Sequence, residues 1–236
     1  MLIRPLLATI LLGACVASAL AAPARLIILR HGEKADDWKL CSVGAQRAEA
    51  LAQNYLGRGA AKSLFEAGEE PAALYAITLH TLELLSPAAA TWKRPIVLYS
   101  AMPEATKKAF TRTLNRQTRE AVQDLLADPA LAGKTVVLAW EHRHIANAEL
   151  EAKFAGEKVT LRQLLKLDSL PDVPATWPDE NFDYFWIVEF PANSSEPSKF
   201  SMLKQEFGAS FANVPSNDWG APDGLDESSG CETKPD

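Results

Sequence analysis

Two histidines, each delivered at the carboxyl end of an unbroken aliphatic run, are the residues of this chain best suited to chemistry. The first stands in Leu26-Ile27-Ile28-Leu29-Arg30-His31-Gly32-Glu33-Lys34, where four apolar residues stop at an arginine, a histidine and a glycine. The second follows Thr135-Val136-Val137-Leu138-Ala139-Trp140, which ends at Glu141-His142-Arg143-His144-Ile145. Arginine is a fixed cation whose fork matches phosphate oxygens, whereas a neutral imidazole serves as nucleophile, base or metal ligand. An arginine with two imidazoles therefore points to phosphoryl transfer, with positive donors around the oxygens and a nitrogen that takes the group covalently.

Such residues need a frame. Short apolar runs bounded by turn residues predict buried strands, and in open α/β sheets the carboxyl ends of strands face the ligand. Gly32 would let the backbone turn sharply or bring an amide close to a ligand. Between the two runs, periodicity predicts a helix from an N-cap at Ser42 to about residue 55, a strand over 72–78 and a helix over 80–92. A short strand over 95–99 and a long helix over 103–126 follow. After the second run come a helix near 161–167, an aromatic strand over 184–190 and a last strand within 200–211. Of 236 residues, 22–215 suit one domain with a single substantial core, and 216–236 read as a polar, loose tail.

Residues 1–21 read as an export signal: Arg4 precedes an apolar core over 6–16, and Ala19-Leu20-Ala21 forms a small-residue cleavage pattern. The apolar run is too short to predict a membrane span. Leu12-Gly13-Ala14-Cys15 also resembles a bacterial lipoprotein box, which would make Cys15 a lipid anchor. The mature protein is expected to be periplasmic or secreted on the first account, and anchored outside the cytoplasm on the second. Cys41 and Cys231 then remain as a disulfide candidate in an oxidising compartment, the alternative being two unpaired thiols. Neither has a partner at zinc-ligand spacing. The net charge of −6 argues against nucleic acid, whose partners show a basic face, but not against a small phosphorylated substrate.

Arg30-His31-Gly32-Glu33 directly after a hydrophobic strand resembles the signature of the histidine phosphatase superfamily. Leu40-x-x-x-Gly44-x-x-Arg47-Ala48-x-x-Leu51-Ala52, Trp140-Glu141-His142-x-x-Ile145 and Trp177-Pro178-x-x-x-Phe182-Asp183 extend the similarity to an uncharacterised exported bacterial branch over about 160 residues. The resemblance implies a three-layer α/β/α fold with a mostly parallel central sheet. It implies a phosphohistidine on His31, a phosphoryl group held by Arg30, His31 and His142, and Arg47 as scaffold. No cofactor and no metal are needed for that chemistry. The family's second phosphate arginine, carried by a Ser-Pro-x-x-Arg-Ala motif, has no counterpart around Thr78-Leu79-His80-Thr81-Leu82-Glu83.

His80, Arg143 or the face of Arg112, Arg116 and Arg119 are the candidates to replace that arginine. Glu141 and Glu104 are the candidates for the acid that protonates the leaving alcohol. Alternation along a strand counts against Glu141, because its side chain should point away from that of His142. Together these residues predict an exported phosphomonoesterase acting on a small phosphorylated molecule. The alternative is a phosphatase-like binding or structural protein with weak or no turnover, and a metal hydrolase using His142 and His144 is a third, weaker reading.

Overall fold

The computed structural model describes residues 22–232; the segment read from sequence as an export signal, with Cys15, and the last four residues lie outside them. The described residues form one six-stranded sheet in the order β3-β2-β4-β1-β5-β6. Its strands are β1 (Arg25–Arg30), β2 (Ala73–Ala76), β3 (Ile96–Leu98), β4 (Thr135–Trp140), β5 (Tyr184–Glu189) and β6 (Lys199–Lys204). β3, β2, β4 and β1 pair in parallel, while β5 is antiparallel to both its neighbours. The fold is α/β in three layers with a mostly parallel sheet. No helix among the described residues is long and apolar enough to cross a membrane.

β1 and β4 are central because both faces of each are apolar. Leu26, Ile28, Val136 and Leu138 pack on Leu114, Val122 and Leu125 of α3 (Lys107–Ala127). The alternate residues Ile27, Leu29, Val137 and Ala139 pack on the other side against Leu51 of α1 (Ser42–Leu51) and Leu84 and Leu85 of α2 (Leu79–Trp92). Side chains of a strand alternate between faces, so each run feeds two cores and tolerates no polar residue until it ends. The first helix begins one residue earlier than an N-cap at Ser42 predicts, since Cys41 holds the cap position, and it continues to Leu56 as a π-helical turn. The long helix starts at Lys107 instead of 103, with the Thr106 hydroxyl accepting from the Ala109 amide as its cap.

Glycine matters most at Gly44, where α1 presses on the loop after β1. A Cβ there would lie 2.2 Å from the Glu33 carbonyl oxygen. Gly32 is crowded by Leu84, Leu40 and Gly44 and has an ordinary φ, so it serves packing and not a left-handed turn. Gly44→Ala is expected to cost roughly 1–3 kcal/mol, the usual penalty of overpacking, read as a lower urea midpoint.

The described part of the tail is tied down, contrary to the loose segment its composition suggests. Cys231 is disulfide-bonded to Cys41, the Glu232 amide donates to the Lys34 carbonyl at 2.7 Å, and the Asn217 amide donates to Asp183. Trp219 adds an aromatic anchor against Trp177, with ring centroids 5.1 Å apart, and against Tyr184. Polar sequence between such anchors is held by them rather than by a core of its own.

Candidate active site

The register of the two central strands brings the histidines together. Arg30 pairs with Trp140 in the parallel β1–β4 ladder, so the next residue of each strand emerges at the same edge of the sheet. The His31 amide donates to the Trp140 carbonyl at 3.0 Å, and His142 opens the short helix α4 (His142–Ile145). The result is Nε2 of His31 lying 3.2 Å from Nδ1 of His142, with ring centroids 5.4 Å apart.

Each imidazole is oriented from behind. Nδ1 of His31 meets the Gly32 carbonyl at 2.8 Å, and because a carbonyl only accepts, the proton sits on Nδ1 and Nε2 is bare. Nε2 of His142 meets the Asp179 carboxylate at 2.9 Å, which likewise places the proton there and bares Nδ1. Arg30 is gripped by the loop before β5: its guanidinium donates to the Pro178 carbonyl at 3.0 Å and lies 3.9 Å from the centre of the Phe182 ring. Its other terminal nitrogen donates to Nε2 of His31 at 3.2 Å.

Glu141 shares the site despite its neighbour, contrary to the strand-alternation expectation. β4 ends at Trp140, and the chain is turning into α4 at Glu141, so alternation no longer applies. Its carboxylate accepts from the Thr78 hydroxyl at 2.7 Å, lies 3.2 Å from Nζ of Lys34 and 3.5 Å from Nε2 of His31. Burial alone would push its pKa up, but Lys34, His31 and His80 together with the Thr78 bond outweigh this and hold it well below the carboxylate range.

Glu141 and His142 line a cleft of about 730 Å³ shared with Lys34, His80, Glu104 and Arg143, whose far wall is Phe110, Leu114 and Leu150. His80 sits beside the pair, its ring centroid 6.3 Å from that of His31. Its Nε2 donates to the Asp36 carbonyl at 2.7 Å, which leaves Nδ1 buried without a hydrogen-bond partner. Arg143 is on the cleft wall, 3.9 Å from Glu149. Glu104 is exposed at the rim and bonded to the Thr113 hydroxyl, away from the contacts of the histidine pair.

Two expectations fail on geometry. Arg116 and Arg119 pair with Glu120 and Glu157 on the surface, and none of the three helix arginines lines the cleft. His144 cannot join His142 on a metal: helical turning sends it under α3, where its Nε2 meets Asn115 Oδ1 at 2.9 Å. Arg47 is scaffold, as the resemblance implies: it is buried, forks onto Glu33 at 2.7 and 3.0 Å, and reaches Asp183 at 2.9 Å and Gln205 at 2.9 Å. Lys34 and Asp179 were assigned no role in the sequence. Lys34 had a signal, being a cation three residues past His31; Asp179 had only its place in the Trp177-Pro178 loop.

Three buried imidazoles give the fold an acid limit. Burial, followed by the charge of Lys34, lowers His31 well below the ordinary histidine value. Burial and then Arg30 lower His142 to about 4, and burial lowers His144 to about 3. Unfolded histidines take up protons as pH drops through about 6.5, while in the folded state His142 and His144 stay neutral until near 4 and His31 until well below its ordinary value. The unfolded state therefore binds more protons across that window, and stability falls with falling pH at up to about 4 kcal/mol per pH unit. Urea midpoints are expected to drop steeply from pH 6.5 to 4.5, and less steeply in His144→Gln.

No family model matches the chain, and no curated protein matches it. Among solved structures it is similar to mycobacterial hydrolase 2, with a TM-score of 0.42 and 13% identity over 79% of this chain and 94% of that one. It is also similar to the native structure of mycobacterial glucosyl-3-phosphoglycerate phosphatase Rv2419c, with a TM-score of 0.42 and 14% identity over 79% of this chain and 100% of the other.

Proposed function

We propose that the chain is a phosphatase of the histidine-phosphatase type, hydrolysing a small phosphomonoester through a phosphohistidine on His31. The observation that carries this reading is the bare Nε2 of His31, held against His142 and Arg30 at the carboxyl end of β1. A neutral, oriented imidazole beside a guanidinium is what in-line attack on phosphorus requires. Export of the mature protein is part of the proposal; the Cys41–Cys231 disulfide supports it, since such bonds persist in oxidising compartments.

In the first step Nε2 of His31 forms a bond to phosphorus as the ester P–O bond breaks, and the departing oxygen takes a proton from Glu141. Free Glu141 is ionised, but a phosphate dianion entering beside it replaces part of its positive surroundings with negative charge and favours its protonation. In the second step water attacks phosphorus, its proton returns to Glu141 and the N–P bond breaks. Arg30 and Lys34 are the donors available to the phosphoryl oxygens, so Lys34 takes the place of the second arginine. A Lys34 ammonium 3.2 Å from Glu141 favours the enzyme over the inactive binder, because the pocket has a second fixed cation after all.

The test is to mix purified mature protein with an aryl phosphate, quench without acid and digest. Free phosphate and one added phosphoryl group on the peptide containing His31 are expected; turnover with the label on any other residue would sink the assignment.

A further inference from the structure

The space between the two imidazoles also suits a guest smaller than a phosphoryl group. Two bare ring nitrogens face each other at 3.2 Å, and Glu141 Oε2 is 3.5 Å from one of them. One ligand atom from each of His31, Glu141 and His142 lies within 4.8 Å of the other two. A tetrahedral zinc ion with Zn–N bonds of roughly 2.05 Å holds its ligand atoms about 3.3 Å apart, so two of the three separations already match one ion, and drawing Glu141 toward His142 would complete three ligands with a fourth position left for water. Behind each ligand stands a group that fixes it: the Gly32 carbonyl for His31, Asp179 for His142 and the Thr78 hydroxyl for Glu141. Such backing partners are the usual companions of metal-bound imidazoles and carboxylates.

We propose that His31, His142 and Glu141 form a site for a first-row divalent cation, best matched by zinc, and that the ion and phosphate exclude one another there. The site rests on this geometry alone; its inhibitory consequence rests on the phosphatase reading above. The two guests ask opposite things of their neighbours. Arg30, 3.2 Å from the His31 ligand atom, and Lys34, 3.2 Å from Glu141, attract an anion and repel a dication. Two imidazoles and a carboxylate suit zinc and its neighbours in the divalent series over magnesium or calcium, which prefer all-oxygen shells.

The experiment titrates metal-stripped full-length protein with zinc chloride by calorimetry, and with cobalt chloride by visible absorption. One zinc per chain is expected, with intense tetrahedral cobalt bands that inorganic phosphate abolishes in the unaltered protein. His31→Ala should remove the binding, Glu141→Gln should weaken it at least tenfold, and Lys34→Gln should tighten it on the order of tenfold by removing one repelling charge. Absence of stoichiometric binding, binding indifferent to phosphate, or binding undiminished in folded His31→Ala overturns the site. Protein that hydrolyses an aryl phosphate yet takes no zinc overturns only this inference, and protein that takes zinc here yet releases no phosphate overturns only the phosphatase reading.

Discussion

His31→Ala is expected to lower phosphate release from an aryl phosphate by about 10⁴-fold or more, the scale of loss when a covalent nucleophile is removed. The substitution deletes the atom to which the proposed mechanism gives the bond to phosphorus. Nδ1 of His142 faces the same space, but Asp179 holds its ring so that this nitrogen points at Nε2 of His31. His144→Gln is the matched control, since it removes an equally buried imidazole whose Nε2 is bonded to Asn115 rather than to the His31–His142 pair. Turnover should survive His144→Gln and vanish in His31→Ala; comparable turnover in both would remove His31 from the chemistry.

Arg47→Ala is expected to destabilise the fold by roughly 3–5 kcal/mol, because it strands two buried carboxylates at once. Glu33 and Asp183 are 1% and 0% exposed, and each has its ion-pair partner in the one guanidinium. Glu33 and Asp183 push the Arg47 pKa above its ordinary value against the effect of burial, the mark of a cation held by its anions. Arg47→Lys should rescue little, since a single ammonium cannot span Glu33, Asp183 and Gln205 together. Urea unfolding reads the loss directly, and a change under 1 kcal/mol in Arg47→Ala would mean the network does not hold β1's loop to α1 and β5.

What the sequence made legible was whatever depends on local pattern. β1 and β4 could be found because strands covered on both faces must be apolar throughout, and the abrupt switch to Arg30-His31 and Glu141-His142 marks where cover ends. The pairing of the two histidines followed from their strands being parallel neighbours, a relation the family resemblance implied and the β1–β4 register displays. Lys34 and Asp179 were opaque for a different reason. A lysine and an aspartate in loops are usually solvated, and only the turn of the chain after Gly32 and the return of the 177–182 loop bring them onto Glu141 and His142. Alternation weighs against Glu141 only if the strand reaches it, and β4 ends one residue earlier, at Trp140. The arginines of α3 shared a face as their spacing required, but which face looks at the cleft is settled by how Leu114, Val122 and Leu125 pack, and they turn the arginines outward.

The Cys41–Cys231 bond joins residues 190 positions apart, so most of the folded chain is one covalent loop that encloses β4, with β1 just ahead of the point where it closes. In the chain-entropy account a ring of that size removes about 5 kcal/mol of freedom from the denatured ensemble. A polypeptide that spills open would thus remain tied to its own beginning, with the end of the folded chain held beside the segment that follows His31. Recovery after such an excursion starts from a closed hoop rather than a free thread.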